Sequence, residues 1–171
     1  REQIHKIDNP LKQYNILPKN FILSTIHREE STKSYSRLES ILNLFSNLDY
    51  PVILPLHPRT KSLLTANGYD FESNINLKII EPLGYLEMIY LLINAKLVIT
   101  DSGGLTKESF WSSVPCITLM EVTTWPETVD LGWNILAGLN TNKIKDSISK
   151  FIKKPPNTSP ELMNPYGDIG S

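Results

Sequence analysis

The chain is poor in cysteine, in clustered basic charge and in long apolar runs, and each shortage closes off a class of protein. Cys116 is the only cysteine among 171 residues, so neither a disulfide framework nor a cysteine-based metal site can form. Lying in the apolar run PCITLM, it reads as a buried core thiol. Lysine and arginine total 17 against 18 acidic residues, a net charge of -1, and no Lys/Arg-rich block stands out. That balance argues against a nucleic-acid partner. No apolar stretch reaches the ~20 residues of a bilayer span. The longest, MIYLLINAKLVIT, is broken by Asn94 and Lys96. No membrane partner is expected, no signal peptide is read at the start, and a cytoplasmic protein is the simplest expectation. His27 and His57 have no cysteine and no convincing set of carboxylates with them at ligand spacing, so no metal is expected either.

What is present is a globular composition, 40% hydrophobic and 20% charged, enough for a single domain with a sizeable core. The sequence opens on Arg1 rather than Met and closes after the proline-rich KKPPNTSPELMNP, so it reads as a piece of a longer protein. About residues 1–20 read as helix or linker and 155–171 as a C-terminal tail. Between them, short runs rich in Ile, Leu and Val predict strands over 21–26, 51–56, 77–82, 96–100, 115–120 and 134–139. Helices are predicted over 32–45, 59–66, 85–94, after the glycines at 103–104, over 126–131, and over 141–153 with Thr141 or Asn142 as cap. Strands alternating with helices give an α/β fold, a Rossmann-like parallel sheet with helices on both faces. In such sheets ligands bind at the C-terminal ends of the strands.

The segment KLVITDSGGLTKESFW carries the most chemistry. It reads as a strand, a turn at Asp101-Ser102-Gly103-Gly104, and a helix. A helix start offers unsatisfied N–H groups and a partial positive charge, a ready anion site. Gly103 and Gly104 let an anion approach the backbone closely, and Glu108, about a turn further on, suits the hydroxyls of a ribose. An ordinary helix N-cap is the plain alternative.

Other strand ends carry polar groups on the same edge. His27 and Arg28 follow the first strand, as proton shuttle and bidentate anion donor or as a solvated loop with an internal ion pair. His57 and Arg59 flank Pro58 after the second strand, and Pro58 would stiffen the turn and fix His57. At Glu81-Pro82-Leu83-Gly84-Tyr85, a backbone freed by Gly84 suits the edge of a base, or is a plain connection. In Thr123-Thr124-Trp125-Pro126-Glu127, Trp125 either walls a sugar pocket or packs on the next helix, with Thr124 capping it.

Together HR-x-E, HP, E-x-L-x-Y, TDSGG with its glutamate, T-x-W-P-E-x-V and G-x-N-x-L-x-G resemble the C-terminal half of the UDP-N-acetylglucosamine 2-epimerases, from about Phe21 to Gly138. The tail NPYGD also looks like that family's end. The resemblance implies a two-domain glycosyltransferase-B-like fold with UDP-sugar in the cleft, this chain being the C-terminal domain without its N-terminal partner. It implies that Ser102, Gly103 and Gly104 hold the diphosphate and Glu108 the ribose, with catalytic His27 at the phosphates and sugar and His57 nearby. The implied reaction inverts C2 by proton removal with anti elimination of UDP, then re-addition, and needs no cofactor or metal. The proton-transfer carboxylates lie mostly in the other domain, so the chain alone is expected to be inactive, and a homodimer is expected at full length. Many members have T-E-R-P-E where this chain has Thr-Thr-Trp-Pro-Glu, a form more similar to members acting on acidic or diacetamido UDP-sugars. Two other readings are a glycosyltransferase-B nucleotide domain and a non-catalytic UDP-sugar-binding module. An unrelated α/β domain requires every strand-end motif to be coincidence.

Overall fold

The computed structural model describes residues 10–71 and 74–156. All six expected strands form: β1 (Ile22–Thr25), β2 (Val52–Pro55), β3 (Leu77–Ile80), β4 (Leu97–Thr100), β5 (Cys116–Thr118) and β6 (Asn134–Leu136). They make one parallel sheet in the order β3-β2-β1-β4-β5-β6. Four of them are buried along their whole length, which is why they read as apolar runs rather than as alternating patterns. The period of 2 still assigns the faces. Ile22, Val52, Leu54 and Ile99 point to one side, and Leu23, Ile53 and Val98 to the other.

Helices cover both faces. On the first side lie α3 (Tyr35–Ser46), α4 (Pro58–Ala66) and α8 (Thr141–Lys153). Helix α3 inserts Leu38, Ile41, Leu42 and Phe45, all fully buried and spaced as one helical stripe. The second side is packed by α1 (Pro10–Gln13), α5 (Tyr85–Asn94) and α6 (Gly103–Trp111).

Several boundaries differ from the sequence reading. The helix expected over 32–45 begins only at Tyr35: Thr32 ends a separate short helix, α2 (Glu29–Thr32), and Ser34 turns extended as the N-cap of α3. Helix α8 is capped by Asn140, whose side chain accepts from the Lys143 amide at 3.0 Å, not by Thr141 or Asn142. Helix α7 (Pro126–Asp130) has Trp125 at its N-cap, not Thr124, with no side-chain cap bond. Of the expected ends, residues 1–9 and 157–171 lie outside the described residues.

Cys116 is fully buried, with Thr106 and Thr118 each 3.9 Å from its sulfur. Burial pushes its thiol up to about 12. The folded state therefore favours the neutral thiol: its contribution to stability is complete below the ordinary thiol range and is lost as pH climbs through that range toward 12.

Two outcomes check this packing. Phe45→Ala empties a fully buried ring site and should lower unfolding free energy in urea by roughly 3–5 kcal/mol; a loss under about 1 kcal/mol contradicts the packing of α3. Cys116 should resist a thiol reagent at mildly alkaline pH until urea unfolds the chain; labelling of the native protein at a free-thiol rate contradicts its burial.

Candidate nucleotide site

The order of the sheet reverses between β1 and β4, and there the loops after adjacent strands part to leave a crevice. One residue ties the two loops together. Asp101, following β4, is wholly buried, and its Oδ2 accepts the amides of His27 at 2.9 Å and Arg28 at 2.8 Å, both just past β1. Its Oδ1 has no aligned hydrogen bond and lies 3.3 Å from His27 Nδ1, an ion-pair contact when the imidazole is charged. The carboxylate favours a proton on Nδ1 and so leaves Nε2 as the nitrogen free for a ligand. Below this clamp the Thr25 and Thr100 hydroxyls meet at 2.6 Å, and Thr100 Oγ1 also accepts the Ser102 amide at 2.9 Å. Thr60 donates to the Ile26 carbonyl at 2.7 Å, fastening α4 to the end of β1.

His57 is the N-cap of α4, and its Nδ1 accepts the Arg59 amide at 3.2 Å. That bond requires Nδ1 to be unprotonated, so the neutral ring presents an Nε2–H donor. The His27 and His57 rings lie 5.8 Å apart. Two imidazoles thus stand side by side with opposite Nδ1 roles, one facing a carboxylate and one facing an amide.

The turn before α6 behaves as an anion site requires. Ser102 caps the helix by accepting from the Leu105 amide at 3.4 Å, which leaves its hydroxyl proton available. The amides of Gly103 and Gly104, the first two helical residues, have no hydrogen-bond partner among the described residues. A Cβ on Gly104 would meet nothing nearer than Ser102 Oγ at 3.8 Å, so the protein's own packing does not demand glycine there. The bare backbone instead leaves room on the cavity side. The side chain of Glu108, one turn on and half-buried, makes no hydrogen bond or ion pair among the described residues.

A cavity of about 370 Å³ collects His27, His57, Ser102, Gly104 and Glu108 with Pro82, Leu83, Tyr85 and Met88. The sequence-selected residues divide accordingly. Arg28 lines a second cavity of about 360 Å³ with Glu30, Arg37 and Glu121, Arg59 lines neither, and Gly103 lies beside Thr124 and Trp125. Gly84 keeps an ordinary negative φ and its amide donates to Glu87 at 2.9 Å, so it is a capping residue rather than a free donor to a base. Glu81 is spent on Lys61 at the surface, at 2.6 Å. Trp125 does not wall the first cavity; it packs on α6, with its indole N–H donating to the Gly103 carbonyl at 2.9 Å. The sequence by itself marks Asp101 only as part of a turn. The one sequence signal for its role is an acidic residue set directly at a strand end that must be buried. Among the described residues, no group of three or more His, Cys, Asp or Glu side chains is arranged to hold a metal ion.

A parallel sheet of this order, with a free helix start and unpaired polar groups at its switch point, defines a Rossmann-like α/β domain. Comparison with known proteins makes the assignment specific: the chain belongs to the UDP-N-acetylglucosamine 2-epimerase family, whose model matches residues 1–171. A UDP-N-acetylglucosamine 2-epimerase homolog of Methanococcus maripaludis is 48% identical over 148 residues, covering 82% of this chain and 40% of the relative. The UDP-2,3-diacetamido-2,3-dideoxy-D-glucuronate 2-epimerase of Pseudomonas aeruginosa is 43% identical over 137 residues, covering 78% and 38%. The Methanocaldococcus jannaschii UDP-GlcNAc 2-epimerase, solved in complex with UDP-GlcNAc and UDP, superposes with a TM-score of 0.78 at 34% identity, covering 97% of this chain and 51% of that one. The chain thus spans about two fifths of the length of these curated relatives.

Asp101→Ala tests the clamp. It strands the His27 and Arg28 amides, and an orphaned polar group costs roughly 1–3 kcal/mol. Unfolding free energy should fall by about 2 kcal/mol or more, and nitrogen NMR of the imidazoles should show His27, and not His57, changing its Nδ1 signal. Unchanged stability together with an unchanged His27 signal contradicts the clamp.

Proposed function

We propose that the first cavity is the UDP half of a two-domain, non-hydrolysing UDP-sugar 2-epimerase. The observation that carries this reading is the meeting, in one crevice, of the unpaired Gly104 amide at the start of α6, the unpaired half-buried Glu108 side chain, and an imidazole backed by a buried carboxylate. The diphosphate then lies on Gly103, Gly104 and the Ser102 hydroxyl, where amides and helix dipole favour negative charge. Glu108 accepts from ribose hydroxyls. Pro82, Leu83, Tyr85 and Met88 supply an apolar wall for the base. His27 stands against the Asp101 carboxylate, and when its ring is protonated it presents an Nε2–H to the departing β-phosphate oxygen of the glycosidic bond. His57 adds a neutral donor. Asp101 brings a negative charge close to an anion site; its Oδ2 is satisfied by two amides and its Oδ1 faces the His27 ring.

The proton at C2 is moved by groups outside this chain on the same reading, so the chain alone binds UDP without turning over UDP-sugar. A sugar that is N-acetylglucosamine or a diacetamido or acidic relative, a homodimer, a cytoplasmic location and a role in cell-surface polysaccharide synthesis belong to the same proposal. Among the described residues no helix is long and apolar enough to cross a membrane.

Calorimetric titration with UDP tests the site. Saturable binding should weaken by roughly 1–3 kcal/mol in each of Ser102→Ala and Glu108→Ala. Affinity unchanged in both variants, or no UDP binding by the intact two-domain protein, overturns the proposal.

A further inference from the structure

Trp125 is left without a role by the nucleotide reading, since it does not line the cavity, yet it makes the most specific contact to the anion-binding turn. Its indole N–H donates to the Gly103 carbonyl at 2.9 Å. That carbonyl belongs to the same rigid peptide plane as the Gly104 N–H, so a bond on one side fixes the direction of the donor on the other. Accepting a hydrogen bond also polarises the peptide and strengthens its N–H as a donor.

The indole is itself held from two sides. Lys107 Nζ lies 4.1 Å from the Trp125 ring centroid and 4.5 Å from that of Trp111, a cation between two aromatic faces on α6 and the loop before α7. On the other side the Trp125 carbonyl accepts from the Thr128 hydroxyl at 2.7 Å. Thr128 accepts from Asn134 Nδ2 at 3.2 Å, and Asn134 Oδ1 accepts from Thr118 at 2.8 Å. Thr118 stands 3.4 Å from Thr106, whose hydroxyl donates to the Ser102 carbonyl at 2.9 Å. Thr106, Thr118, Thr128 and Asn134 are all buried. The loop and the turn are therefore tied directly by the indole, and beneath it a hydrogen-bonded chain from Trp125 through Thr128 and Asn134 to Thr118 packs against Thr106 by contact, since the Thr118 and Thr106 protons go to Asn134 and Ser102.

We propose that Trp125 is a positioning residue that sets the Gly103–Gly104 peptide for the diphosphate, with Lys107 and the buried threonine chain holding the indole in place. This rests on the proposed UDP site. The loop before α7 then reports on the phosphates through a peptide plane and never touches the ligand.

The test is Trp125→Phe, which keeps a ring for Lys107 but removes the N–H, titrated by NMR with UDP and with uridine on the full chain. UDP affinity should fall roughly threefold to tenfold while uridine affinity holds, and the unligated Gly104 amide nitrogen should shift. UDP affinity unchanged in Trp125→Phe, or UDP and uridine weakened equally, overturns the inference and leaves the nucleotide site standing. A wild-type chain and an intact two-domain protein that both fail to bind UDP overturn the two readings together. Should Trp125→Phe fail to fold, Thr128→Val cuts the lower tie alone and should weaken UDP and spare uridine in the same way; no such split overturns the inference.

Discussion

The crevice depends on one buried carboxylate. Asp101 follows β4, while the amides it binds follow β1, and these strands are neighbours only because the chain crosses over at the switch point. A parallel sheet leaves loops at that edge free to splay. The two charge-assisted bonds draw the His27 loop against the α6 turn, and the contact from Oδ1 to the imidazole sets the ring in the same act. A neutral side chain would bridge the gap less strongly, and a shorter one would not reach.

The surrounding polar network is consistent with that demand. Threonines fill the places where strands end beneath the site: Thr25 and Thr100 under the clamp, Thr60 at the end of β1, and Thr106 and Thr118 under α6. Each carries a methyl group that tolerates burial and a hydroxyl that satisfies a strand-end or helix-start group. The site is thus rigid beneath and open above, with the Gly104 amide and the Glu108 carboxylate left unpaired where a ligand fits. Leaving polar groups unsatisfied is unfavourable inside a core and is tolerated here because they face the cavity.

The sheet was legible because its strands are short, apolar and regularly spaced, and the site edge because polar residues recur at their C-terminal ends. The turn at Ser102 to Gly104 and the place of Glu108 could be read from a local rule, a strand running into a capped helix. What escaped reading depends on contacts between distant segments. Asp101 meets residues 73 and 74 positions away, and no local pattern marks it as the link. For Trp125 the sequence leaves a pocket wall and packing on the next helix equally open; a bond to a carbonyl 22 residues back is a tertiary fact. Arg28 and Arg59 shared the right edge with His27 and His57, but Arg28 lines the second cavity and Arg59 lies in the first turn of α4, and only the histidines line the first cavity. The Asn140 cap follows a side-chain bond, and the division before α3 an extended Ser34, that helix periodicity does not contain.

The central claim is that the crevice between the His27 loop and the start of α6 takes the diphosphate. A crystal structure of the chain with UDP tests it most directly. The account predicts phosphate oxygens on the Gly103 and Gly104 amides, ribose hydroxyls on Glu108, and Asp101 unmoved against the His27 and Arg28 amides. Diphosphate bound instead in the second cavity beside Arg28 and Arg37, with the α6 amides left free, contradicts it.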